Sequence, residues 1–175
     1  VYPNYSFHEA VKFWIGPLMK KQDFAMNDVA LEIKTAMTGD ANHIKISSLD
    51  QLYKVTNDLY LLHLHISQSN DESGYSLQDL YSKAESLYEG NTQTELGFTD
   101  KTKKLHSKAS KEQLEQKFNF VTNEIYSVPD NNQDFPALTS LNINQGISSV
   151  KYSINPAALI NFKIDKSIED LIKNK

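Results

Sequence analysis

The sequence has no cysteine, which excludes disulfides, thiolate metal sites and cysteine nucleophiles together. It has no arginine either, so all 18 of its basic residues are lysine. Arginine supplies the planar fork that reads phosphate and guanine, and the net charge is −4; both argue against a nucleic-acid partner. No apolar run approaches the roughly 20 residues a membrane helix needs. The stretch VYPNYS lacks the basic-then-apolar order of a secretory leader. The six glycines stand apart, and no phosphate-cradling glycine run, dinucleotide fingerprint or G-x-S-x-G is present. No cofactor is expected, and no catalytic residue is assigned.

What is present is enough for a globular core: 39% hydrophobic residues over 175 positions. The longest apolar-periodic stretch is Ser48–Ser69. Leu49, Leu52, Thr56, Leu59, His63 and Ile66 fall at three-then-four spacing, and Tyr53, Val55, Tyr60 and Leu62 widen that face. With Ser48 and Gln51 set as a capping box, the spacing predicts a long central helix ending near Gln68. Similar boxes at Ser6/Glu9, Ser76/Asp79 and Ser110/Gln113 open three more. The first carries Phe7, Ala10, Val11, Trp14 and Ile15, and Gly16-Pro17 should kink or end it. Leu114, Phe118, Val121 and Ile125 continue the last as far as Val128-Pro129. Residues 24–46 suit a helix through Met26, Val29, Ile33 and Met37, but Val29, Leu31 and Ile33 also alternate and TGDAN offers a turn before His43–Ile46, so a hairpin turning there stays open.

After the polar stretch Pro129–Pro136 the period changes. Leu141/Ile143, Val150/Tyr152/Ile154 and Ile160/Phe162/Ile164 alternate with polar residues, as in a small antiparallel sheet with one buried face. Asn144-Gln145-Gly146 and Asn155-Pro156 supply turns, and Ser167 opens a last short helix or tail. The expected fold is α+β: a mainly α-helical bundle over 1–130, then a small antiparallel β-subdomain over 131–175.

His63 and His65 are the most suggestive pair. On a strand they would share a face and ligate one metal ion, whereas on a helix they stand about 200° apart. With a helix expected there, no metal site is assigned. Lys101, Lys103, Lys104, Lys108 and Lys111 form a basic run of the kind that usually makes a solvated helix face.

Two stretches carry a family likeness. LDQLYKVTNDLYLLHLHISQ resembles the helical stretch of the IcmF family, the inner-membrane core component of type VI secretion. VKYSINPAALINFKID, Val150–Asp165, is similar to the strand–Pro–strand pattern near that family's C-terminus, although Lys166 replaces the glycine that usually follows the aspartate. The resemblance implies a soluble, periplasmic, non-enzymatic protein–protein assembly domain contacting an outer-membrane lipoprotein. Its partner-binding residues would be Val150, Lys151, Tyr152, Ser153, Ile154 and Phe162. The alternative is a small-ligand-binding helical domain with Trp14, Tyr53, Tyr60, Tyr81 and Tyr88 lining a cleft.

Overall fold

In the computed structural model the described residues are 5–69, 71, 73–87, 90–130, 134–139 and 143–173, with side chains left out at 104–106. The stretch Asp58–Gln68 is a strand rather than the end of a helix. Leu59, Leu61, His63 and His65 point to one side and Tyr60, Leu62, Leu64 and Ile66 to the other. A run that is apolar on both faces is what a sheet's central strand requires when both faces are covered. The helical spacing left Leu61, Leu64 and His65 off its face.

The strands are β1 (Phe24–Met26), β2 (Val29–Met37), β3 (Ile44–Ile46), β4 (Asp58–Gln68), β5 (Tyr75–Ser76), β6 (Lys117–Ser127) and β7 (Tyr152–Ile154). Five form a mixed sheet in the order β1-β2-β4-β6-β5; β3 and β7 make a two-stranded antiparallel sheet. β2 and β4 run parallel, and the other pairs in the large sheet are antiparallel. The helices are α1 (Phe7–Phe13), α2 (Leu77–Glu85), α3 (Thr92–Lys108), α4 (Lys111–Glu115) and α5 (Ile168–Ile172).

This corrects the expected helical bundle followed by a β-subdomain: the chain is a mixed α/β fold organised by its sheet. The capping boxes at Ser6, Ser76 and Ser110 do start helices. The last stops after five residues, and β6 takes over the apolar residues expected to continue it. In the open 24–46 stretch the alternation of Val29, Leu31 and Ile33 does make a strand, but the hairpin expected to turn at TGDAN is not formed: β3 pairs with β7, and the hairpin present is β1–β2, turned by Asn27 at φ 39°. The strand expected at Ile160–Ile164 is instead mainly a 3-10 helix, Pro156–Phe162, with the Asn155 side chain accepting the Ala157 N–H. Leu141 lies outside the described residues.

Both faces of the large sheet are covered. On one, Ala30, Leu59, Leu61, Tyr126 and Val128 pack against Ile44, Ile46, Leu52, Ile154 and Leu159. On the other, Leu31, Leu62 and Ile125 meet Met26 and the α5 residues Leu171 and Ile172. The parallel pairing of β2 with β4 forces the chain to cross over between them. That crossover holds β3 and the 3-10 turn Leu49–Leu52, and lies over the first face. Among the described residues no helix is long and apolar enough to cross a membrane.

Candidate active site

The site begins with the β1–β2 hairpin. Phe24 pairs with Leu31, so Asp23 continues the ladder opposite Glu32. The Asp23 N–H donates to the Leu31 carbonyl at 3.1 Å, and its Oδ2 accepts the Ile33 N–H at 2.8 Å. Residues facing each other across an antiparallel pair point to the same side. Glu32 and Lys34, two apart on β2, share that side as well.

Glu32 is buried, 1% exposed. Burial above all, with the nearby negative charge of Asp23, pushes its carboxyl up to about 7 against the pull of Lys34. Lys34 Nζ stands 2.8 Å from Glu32 Oε1 and donates to Gln51 Oε1 at 3.0 Å. The crossover delivers Gln51, and the same oxygen also accepts the Ser47 N–H at 2.8 Å. The turn is clamped by buried Gln22, whose Nε2 donates to the carbonyls of Asp50, Gln51 and Tyr53. On the other side of Asp23, the Ile15 and Gly16 N–H groups donate to its carbonyl at 2.8 and 3.0 Å. A Cβ on Gly16 would sit 2.6 Å from Asp23 Oδ1, so the close approach requires glycine.

A second polar row lies beside this one. Lys34 pairs with His63, which pairs with Glu124 on β6. His63 Nδ1 and His65 Nε2 are 3.0 Å apart, and Glu124 Oε2 lies 3.9 and 3.6 Å from them. Desolvation first, then the neighbouring His65, pulls the His63 pKa down. Tyr126 donates to Glu124 Oε2 at 3.0 Å, and Lys163 pairs with Oε1 at 2.8 Å. Lys34 and His63 both line a cavity of about 210 Å³ together with His43, Asp40 and Lys45.

The residues singled out from sequence are dispersed. Tyr53 lines a separate cavity of about 480 Å³, and Tyr60 lies on the opposite sheet face, against Leu171 and Ile172. Trp14 and Tyr81 both pack near Phe98, with centroids at 6.0 and 5.4 Å; Tyr88 lies outside the described residues. The expected aromatic cleft between helices is therefore not formed by the described members. Tyr152, Ser153 and Ile154 form β7, paired with β3, and Ile154 is buried. Phe162 packs on Phe135 at 4.9 Å, while Lys151 is exposed and Val150 lines the larger cavity. Lys101, from the basic run, turns inward and donates to the Val11 and Trp14 carbonyls at the end of α1.

From the sequence, Asp23, Glu32 and Lys34 have no assigned role, and Gln51 stands only as the capping partner of Ser48, whereas its side chain accepts from Lys34 and the Ser47 N–H instead. The available signal was Glu32-Ile33-Lys34 embedded in the alternation of Val29, Leu31 and Ile33, with Asp23 upstream.

Over residues 1–156 the chain matches the model of a family described as "Putative PD-(D/E)XK family member, (DUF4420)". The chain belongs to this family. Glu32-Ile33-Lys34 spells the (D/E)-x-K of that description, and Asp23 supplies an upstream aspartate, with Gln22 in the place of the motif's proline. No curated protein and no solved structure matches the chain. The family match overturns the resemblance to IcmF and type VI secretion. With it goes the non-enzymatic assembly role, since the family points to an enzyme; the helical ligand-binding alternative is likewise unsupported.

Proposed function

We propose that this chain is a metal-dependent nuclease, with Asp23, Glu32 and Lys34 as its catalytic residues and Gln51 as the residue that positions Lys34. The observation that carries the reading is the placing of Asp23 opposite Glu32, with Lys34 beside it, on one face of the sheet, in a chain of the PD-(D/E)XK family.

The donor set fits a hard divalent cation. Both candidate ligands are carboxylates, and magnesium is commonly held by one or two carboxylates together with water and substrate phosphate. The raised pKa of Glu32 marks a buried acid whose negative charge Lys34 alone offsets incompletely, and a cation beside Asp23 and Glu32 would complete the compensation. Such an ion polarises a phosphoryl oxygen and lowers the pKa of bound water.

The chain's own groups do the rest. Lys34 carries three N–H donors; Glu32 and Gln51 engage two, leaving one for a phosphate oxygen or the attacking water. Desolvation strengthens the field of the ammonium where negative charge develops in the transition state. Gln51 holds the lysine's long stem in one geometry, which a surface lysine would not keep. Lack of arginine removes the main reader of guanine but not phosphate contact, which lysine makes as a point charge. A nucleic-acid partner, disfavoured by composition, thus returns as a substrate read through its backbone.

The test is cleavage of plasmid DNA, linear DNA and RNA by the purified chain with Mg²⁺ or Mn²⁺, beside Lys34→Met and Asp23→Asn. Cutting that falls about 10²-fold or more in both variants is expected. No cutting of any substrate by the parent chain, or cutting that survives in both variants, overturns it.

A further inference from the structure

We propose that His63, His65 and Glu124 form a second binding site, for one divalent cation of the zinc class, separate from the Asp23 and Glu32 carboxylates. Their ligand atoms all lie within 4.8 Å of one another. The three separations of 3.0, 3.6 and 3.9 Å define a triangle whose centre is about 2 Å from each atom. That is the bond length zinc takes to imidazole nitrogen and carboxylate oxygen.

The arrangement follows from the strands. His63 and His65 project from the same face of β4, and Glu124 stands directly opposite His63 on β6. Just beyond His65 the β4–β6 register shifts, a bulge of the kind that re-aims neighbouring side chains. The carboxylate is held in place by Tyr126 on Oε2 and by Lys163 on Oε1. Partners of this sort orient a ligand and tune its strength. Lys163 is a cation at the same carboxylate, but it engages the oxygen that faces away from the histidines. His65 and Glu124 keep 16% and 25% of their side chains accessible. A bound ion would therefore retain a water ligand, as sites with three protein ligands do.

The two sites differ in chemistry. Imidazole nitrogen favours zinc, cobalt and nickel, whereas carboxylates alone suit magnesium and manganese. The inference does not rest on nuclease activity, because the histidines and Glu124 are absent from the proposed catalytic set.

The experiment is calorimetric titration of the chelator-stripped full chain with Zn²⁺, and with Co²⁺ followed by visible absorption. His65→Ala, Glu124→Gln and Glu32→Gln are run in parallel, each shown folded by circular dichroism. His63 is wholly buried, so substitution is directed at its two partly exposed companions; Glu124→Gln, nearly isosteric, serves if His65→Ala does not fold. Expected are one ion per chain, a cobalt spectrum of low coordination number, and affinity weakened about tenfold or more by His65→Ala or Glu124→Gln. Glu32→Gln should leave the binding unchanged. No stoichiometric binding to the parent chain, equal binding in His65→Ala and Glu124→Gln, or loss in Glu32→Gln alone overturns the site. In those cases the two histidines are a hydrogen-bonded core pair. Cleavage with Mg²⁺ is read separately, so either proposal can fail without the other.

Discussion

Lys34 Nζ lies 2.8 Å from Glu32 Oε1, and Glu32 is almost wholly buried. Removing one partner of a buried ion pair leaves the other uncompensated. Lys34→Met should therefore unsettle Glu32 and bind it a proton, while abolishing cleavage. Glu32→Gln should also abolish cleavage but leave the fold closer to intact, since the amide still accepts from Lys34. Thermal melts beside cleavage rates check both; a larger stability loss in Glu32→Gln than in Lys34→Met would contradict the pairing.

The stability of the metal-free protein should depend on pH through Glu32. Its carboxyl moves from 4.5 up to about 7 on folding, so between those values the native state holds a proton that the unfolded chain has released. Stability then falls as pH rises through this window and is flat above it. The full effect is of the order of 3 kcal/mol. The lowered pKa of His63 works in the opposite direction. The difference between parent and Glu32→Gln in chelator, measured by urea unfolding from pH 4.5 to 8, isolates the Glu32 part. A difference independent of pH would refute it.

Gly16→Ala should disturb Asp23 at a distance in sequence. The added methyl would meet Asp23 Oδ1 at 2.6 Å and its Cα at 3.2 Å, and only the first can swing away. A loss of about 1–3 kcal/mol is expected, with cleavage falling further than stability. Gly39→Ala, where a Cβ meets nothing within 4 Å, is the control and should leave cleavage unchanged.

Gln51→Ala removes the acceptor shared by Lys34 and the Ser47 amide. Cleavage should drop through kcat with little change in KM, because the lysine loses its positioning while the substrate's other contacts remain. Gln51→Glu restores the acceptor and should recover part of the rate. A change confined to KM would show that Gln51 binds substrate instead.

Lys101→Met should destabilise by about 1–3 kcal/mol. Its ammonium is the partner of the Val11 and Trp14 carbonyls at the end of α1, and desolvation holds its pKa below the usual lysine value. Hydrogen exchange should rise in α1 first.

Local chemistry was legible from the amino acids alone. Serine followed three residues later by an acid or amide starts a helix at Ser6, Ser76, Ser110 and Ser167, and Gly16-Pro17 ends one, because caps and proline act within a single turn; at Ser48 the same spacing gives only a short 3-10 turn without the side-chain cap. The alternation at Tyr152–Ile154 likewise marks a strand. The length of each element was decided by tertiary structure. LYLLHLHI fits a buried helix or a buried strand equally by hydropathy, and only burial between two covered faces selects the strand. That choice turns His63 and His65 to one side of the sheet, where a helix would have set them apart. The site was hidden for the same reason. Asp23 and Glu32 are nine positions apart in sequence, and Lys34 meets Gln51 seventeen residues on. The hairpin ladder brings the first two together, and the β2–β4 crossover brings the last. Residue identities determine which groups can carry charge and proton; the pairing of strands determines which of them share one buried face.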